Sequence, residues 1–119
     1  MITIMPADEA FLAEISAPAG ADALVLRNST GTVEGYALFR LAGDAVEILQ
    51  VVTEEPLMTE GLIRSVLNAG DYRGAVTGIC RVAALEPVLR RLEFVPDADG
   101  DGWCISIAAF FRGKCPGEK

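Results

Sequence analysis

The sequence runs to 119 residues and 12.6 kDa, enough for one domain around one hydrophobic core. Seventeen acidic residues against ten Lys and Arg give a formal charge of −7, a sign that disfavours electrostatic binding to nucleic acid or to an anionic membrane surface. Histidine is absent, which excludes a Ser-His-Asp triad, a Cys-His pair and any His-ligated metal.

In chain order, Ile2 to Met5 is a short apolar run that predicts a strand closed by Pro6. Asp8 is placed to cap a short helix in which Ala10, Phe11 and Ile15 share a face. Ser16 to Asp22, with Pro18 and Gly20, predicts a loop, and Ala23 to Arg27 a buried strand. Asn28-Ser29-Thr30-Gly31 supplies hairpin chemistry before a second arm, Thr32 to Leu41. Ala42-Gly43-Asp44 turns the chain again into Ala45 to Thr53, which completes a three-stranded antiparallel meander.

The period then changes from two to that of a helix. Leu62, Ile63, Val66, Leu67 and Ala69 form an apolar stripe, with Thr59 placed to cap and Gly74 to terminate. Gly70 inside that stripe weakens the helix by about 1 kcal/mol relative to Ala. Ala75 to Cys80 reads as a strand. Leu85, Val88, Leu89 and Leu92 form a second helical stripe, which tolerates Pro87 only near its first turn. Phe94-Val95 and Trp103 to Phe111 flank the turn Asp97 to Gly102 and are expected to pair as a hairpin. The element order β-α-β-β-β-α-β-α-β-β is that of an α+β, or mixed α/β, domain. It spans residues 1–112, with 113–119 expected to be a flexible tail.

That order, with several local words, resembles the GNAT superfamily of N-acetyltransferases. The words are Gly35-Tyr36-Ala37 and Glu47-Ile48 in the meander, Gly61-Leu62-Ile63-Arg64 near the start of the long helix, Arg73-Gly74-Ala75 at its end, and Leu92-Glu93-Phe94, where the family usually has Leu-Gly-Phe. The resemblance covers roughly Ala23 to Phe111, most of the chain. The resemblance implies a central, mostly antiparallel sheet flanked by helices. It also implies that the sheet splits between the third meander strand and the strand after the long helix. Acetyl-CoA or CoA would lie in the split, its pantetheine arm hydrogen-bonding to the strand that ends at Val52 and Thr53. Its diphosphate would meet the start of the long helix at Thr59, Glu60, Gly61, Leu62 and Arg64, where free N–H groups and the helix dipole favour anions.

The family's phosphate loop commonly reads Arg/Gln-x-x-Gly-x-Gly/Ala. Here the segment is Leu57-Met58-Thr59-Glu60-Gly61-Leu62-Ile63, with one glycine, no leading Arg or Gln, and an acid at Glu60. Glu60 reads equally as an acid favoured by a helix amino end, and Arg64 as a solvated helix cation. Glu47 occupies the position of a general-base glutamate in some members, or is a strand glutamate on a solvated face. The family's general-acid tyrosine falls on Leu89, and the only tyrosines are Tyr36 and Tyr72. Cys80, next to Arg81, is a nucleophile only if cations depress its pKa; otherwise it is an inert core thiol.

Asp97-Ala98-Asp99-Gly100-Asp101-Gly102 opens like a calcium loop, but the twelfth position is Ala108, so an acidic turn is the alternative and no metal is expected. Phe111, if it faces outward on an edge strand, offers a homodimer contact. Only one short helix fits between the first two strands, where the family typically has two, so the acceptor pocket is expected to be open or completed by a partner. Residues up to Thr53 carry a balance of −5 and the rest −2, so cations concentrate in the second half. The three cysteines form no CxxC pair, Met1 to Glu9 lacks a secretory leader's pattern, and no apolar run approaches a membrane span. A cytoplasmic location is expected. Two functions follow: acyl-CoA-dependent transfer to a small-molecule or peptide amine, or a catalytically degenerate copy of the fold that serves as a ligand-binding or protein-interaction module.

Overall fold

Asn28 closes the first hairpin with one side-chain oxygen, which accepts from the Thr30 and Thr32 amides at 2.9 and 3.0 Å. This is the Asx geometry that makes asparagine a turn residue. The computed structural model describes residues 2–53, 55–98 and 100–113. Its elements are β1 (Thr3–Pro6), α1 (Glu9–Glu14), β2 (Ala21–Arg27), β3 (Val33–Ala42), β4 (Ala45–Thr53), α2 (Pro56–Tyr72), β5 (Thr77–Cys80), a 3₁₀ turn (Ala83–Leu85), α3 (Glu86–Arg91), β6 (Val95–Pro96), β7 (Trp103–Ser106) and α4 (Ile107–Gly113).

The strands form one sheet in the order β1-β2-β3-β4-β5-β7-β6. All neighbours are antiparallel except β4 and β5. The parallel pair follows from its connection, because α2 is the crossover that a parallel neighbour requires. One face of the sheet holds the main core, where Leu62, Ile63, Val66 and Leu67 of α2 meet Phe39, Val46 and Ile48, with Leu89, Ile107 and Phe110 completing the cluster. The other face carries a smaller cluster, Ala21, Ala23 and Leu38, covered by Leu12 of α1 and by Ile15 at its end. Asp8 caps α1 as expected, its Oδ1 accepting from the Phe11 amide at 2.9 Å.

Three expectations need correction. The long helix starts at Pro56, so Thr59 is its fourth residue and not its cap; proline's fixed φ and missing N–H suit the first helical position. The last strand stops at Ser106, whose hydroxyl accepts from the Ala109 amide at 3.3 Å and opens α4. Phe111 therefore lies on a helix, half-buried against the main core, and β7 is an interior strand between β5 and β6, which removes the edge-strand basis for a dimer contact. Of the tail, residues 114–119, with Cys115, lie outside the described residues.

Candidate functional site

β4 and β5 are paired over four residues only, from Ala45↔Thr77 to Ile48↔Cys80. Immediately beyond, the register between β3 and β4 slips: Phe39 faces Ile48, but Leu38 faces Gln50. Leu49 is the extra residue of a β-bulge, and a bulge bends its strand and ends pairing. β5 ends at Cys80 while β4 runs on to Thr53, so among the described residues the segment from Leu49 to Thr53 has no strand neighbour on its β5 side. An interior sheet edge of this kind is a ready partner for an extended, amide-bearing ligand. Val52 and Thr53, singled out from the sequence, lie on that open stretch.

The bulge was missed in the sequence although it leaves a mark. The inward positions Val46 and Ile48 are followed by Val51 rather than by residue 50, with Leu49 on the opposite cluster. An alternation that slips by one is the signal of an inserted residue.

The start of α2 suits a diphosphate poorly. Pro56 has no N–H, and the amides of Met58 and Thr59 already donate to the Glu55 carbonyl at 2.9 and 3.2 Å. Three of the first four helical positions thus have no amide to offer an anion. Glu60 sits in the second turn, paired with Arg64 on its own helix at 3.7 Å and with Arg91 of α3 at 3.2 Å. Of the remaining positions, Gly61 faces open space and Leu62 is fully buried in the core, out of reach of a bound molecule. The residues present therefore fit a pantetheine-like arm along β4, and do not fit a diphosphate at the helix start.

Glu47 lies one residue before the last β4–β5 pair, on the face opposite Val46 and Ile48. Its Oε1 accepts from Arg40 at 3.2 Å and its Oε2 from Arg81 at 2.9 Å, and only 12% of its side chain is exposed. Arg81 reaches on to Asp101 at 3.6 Å, in the loop before β7. Both carboxylate oxygens are thus taken up by guanidinium groups that tie β3, β4 and the end of β5 together.

Neither tyrosine stands at the position that the GNAT resemblance gives to the general acid. Leu89 is buried in the core, Tyr72 is the 91%-exposed last residue of α2, and Tyr36 packs edge-on against Phe11 with ring centroids 5.5 Å apart. The Cys80 thiol is pushed above its ordinary value, first by burial; a backbone hydrogen bond at Val82 opposes this and the charge of Glu47 adds to it. A protonated thiol is a poor nucleophile. Cys104 is raised likewise, by burial and then by Asp97. The acidic segment is a hairpin turn, with the Asp97 amide donating to the Gly102 carbonyl at 2.9 Å; Asp99 lies outside the described residues. Among the described residues no group of three or more metal-ligating side chains converges, and no helix is long and apolar enough to cross a membrane.

On the α1 face, Val33, Glu34, Gly35, Tyr36, Val52, Thr53 and Glu55 line an open cavity of about 420 Å³. A second, of about 490 Å³, shares Val33 and Tyr36 with it and continues past Phe11, Glu14 and Arg27. The trough exists because α1 has only six residues and leaves Val33 and Val52 uncovered. As expected for a single short helix, this face is open.

No protein-family model matches the chain, and no curated protein matches its sequence. Solved structures do. A GNAT-family acetyltransferase from Staphylococcus aureus Mu50 superposes with a TM-score of 0.69 over 90% of this chain and 99% of its own, at 8% identity. The ribosomal-protein-S18-alanine N-acetyltransferase of Escherichia coli gives 0.67 over 88% and 90%, at 15% identity. A GNAT-family acetyltransferase from Elizabethkingia anophelis, solved with acetyl-CoA bound, gives 0.64 over 81% and 77%, at 8% identity. The chain has the GNAT fold.

Proposed function

We propose that the chain binds an acyl-CoA thioester through its pantetheine arm in the slot beside Leu49–Thr53, and passes the acyl group to an amine presented from the α1 face. The observation that carries this reading is the parting of β4 from β5 at the Leu49 bulge, which leaves an unpaired strand edge inside the molecule. A bound thioester supplies an activated carbonyl. The chain's own part is to hold the arm straight along β4 and keep the amine beside it, which are the contributions of proximity and orientation. Glu47, held by Arg40 and Arg81, is not free to act as the base. Solvent then takes the ammonium proton.

A second reading, a binding module without turnover, is favoured by the same Glu47 pairing and by Glu60 at the start of α2. One experiment separates them: thermal-shift titrations with acetyl-CoA, CoA and pantetheine, followed by a thiol-release assay with an amine. A saturable rise in melting temperature with thiol release supports transfer, because a ligand that binds only the folded state raises its stability by mass action. Saturable binding without thiol release supports the module. No shift at millimolar acetyl-CoA, CoA or pantetheine overturns the transfer reading and leaves the module.

A further inference from the structure

We infer that the slot selects its acyl donor against the diphosphate. The donor class is a thioester of pantetheine whose arm does not end in the adenosine diphosphate of CoA, and Glu60 is the residue that sets this choice. The inference rests on the reading above for the arm in the slot, and on the start of α2 alone for the discrimination. A helix amino end attracts a diphosphate through amides that have no other partner. Here the Glu55 amide donates to the Thr53 hydroxyl at 3.2 Å, and those of Met58 and Thr59 donate to the Glu55 carbonyl. Pro56 has no amide hydrogen, so at most the Leu57 amide is left to an anion, and the Leu57 side chain is apolar and 74% exposed.

Charge acts in the same direction. The Glu60 side chain is only 23% exposed, and each of its oxygens meets a guanidinium group: Oε1 lies 3.7 Å from Arg64, and Oε2 accepts from Arg91 at 3.2 Å. This carboxylate is a resident anion that already holds the cations a diphosphate would need. A diphosphate must displace it or lie beside it, and like charges a few ångströms apart repel even in water. Glu55, exposed at the helix cap, puts a second acid at the same end. Arg64 and Arg91 against Glu55 and Glu60 thus leave no net positive charge there, in a chain of −7 overall. An uncharged pantetheine thioester meets none of this repulsion. Its amides find the same edge as those of CoA, the stretch Leu49–Thr53 that has no strand neighbour on its β5 side among the described residues. Binding the shared part and repelling the rest is one of the two general routes to specificity.

The test is isothermal titration of the full chain with acetyl-pantetheine, acetyl-phosphopantetheine and acetyl-CoA. Acetyl-pantetheine is expected to bind at least as tightly as acetyl-CoA. Acetyl-CoA binding should strengthen several-fold as ionic strength rises from about 20 to 300 mM, because salt screens repulsion, while acetyl-pantetheine stays constant. In Glu60→Gln, acetyl-CoA should gain several-fold to about tenfold and lose that salt dependence, with acetyl-pantetheine unchanged. Asp71→Asn makes the same change in net charge at the far end of α2 and should do neither. Melting temperatures of the variants confirm that they fold, and the salt titration of the parent needs no variant. Acetyl-phosphopantetheine separates two sources of the donor. Binding like acetyl-pantetheine supports an arm tethered to a protein through one phosphate, and binding like acetyl-CoA supports the free uncharged thioester. Acetyl-CoA bound tenfold more tightly than acetyl-pantetheine, and weakened by salt, overturns the inference and leaves the transfer reading standing. An equal gain in Asp71→Asn overturns the role of Glu60. Binding of none of the three overturns the transfer reading, and the inference with it.

Discussion

Gly70 of α2 lies so close to Val46 of β4 that a methyl group added at Gly70 would stand 2.6 Å from the Val46 Cγ1. Helix propensity alone marks this glycine as a weak point worth about 1 kcal/mol relative to alanine. Packing reverses the sign. Gly70 is buried, and its missing side chain lets the helix sit down on the strand that carries Glu47 and the bulge.

Gly70→Ala is therefore expected to destabilise the chain by about 1–3 kcal/mol, the range for overpacking a filled core, less what the helix gains. Urea unfolding measures it. Adding Val46→Ala should recover part of the loss, since contacting residues are coupled. A Gly70→Ala variant more stable than the parent would show that helix and strand are not in this contact.

Glu60 and Arg91 join α2 to α3 at the end of the slot where the GNAT resemblance puts a diphosphate. Neutralising the carboxylate in Glu60→Gln should free Arg64 and Arg91, and Glu60→Lys should add a third cation. CoA affinity is expected to rise several-fold to about tenfold, near 1 kcal/mol, with pantetheine unaffected. Unchanged CoA affinity in both variants would place the diphosphate elsewhere. An equal gain for pantetheine would point to a general loosening of the helices.

Much of this arrangement is legible in the sequence. The meander, with β4 at Ala45–Thr53, follows from alternation and from turns rich in Asn, Gly and Asp, which act locally. The long helix and its stop at Gly74, whose φ is +96°, follow from period and backbone freedom. The misplaced boundaries have local signals that were outweighed: Pro56 marks the first helical position, and Ser106 three residues before Ala109 is an N-cap. Apolar continuity from Trp103 to Phe111 hid the second. The site was harder to read, because it depends on which strands part and which charges meet. The joining of Arg40, Glu47 and Arg81 spans three strands, and the trough exists by virtue of a helix too short to cover it.

Glu47 tests whether the slot holds a base or an anchor. Glu47→Gln keeps the shape and removes the charge that binds two guanidinium groups. Stability should fall by about 1 kcal/mol, kept small because Arg40 and Arg81 are 49% and 40% exposed and solvent screens them. If the chain transfers acyl groups, thiol release with an amine acceptor should stay within about threefold of the parent. A loss of a hundredfold or more at unchanged melting temperature would make Glu47 the general base.

Cys80 gives the fold a pH dependence of definite sign. In the unfolded chain a thiol ionises near pH 8.5, while burial holds the folded Cys80 protonated to higher pH. Above about pH 8.5 the unfolded state thus binds fewer protons than the folded one, so stability falls as pH rises, by up to about 1.4 kcal/mol per pH unit for one thiol. Cys104 adds to the slope in the same sense. Urea unfolding at pH 7, 8.5 and 9.5 should show a decline that Cys80→Ala reduces and Cys104→Ala reduces by less, because Cys104 is only half-buried. In native protein at pH 8, Cys80 should resist a thiol reagent that labels it at once in urea. Rapid labelling of folded Cys80 at that pH would mean an accessible thiolate, and with it a nucleophile beside the slot.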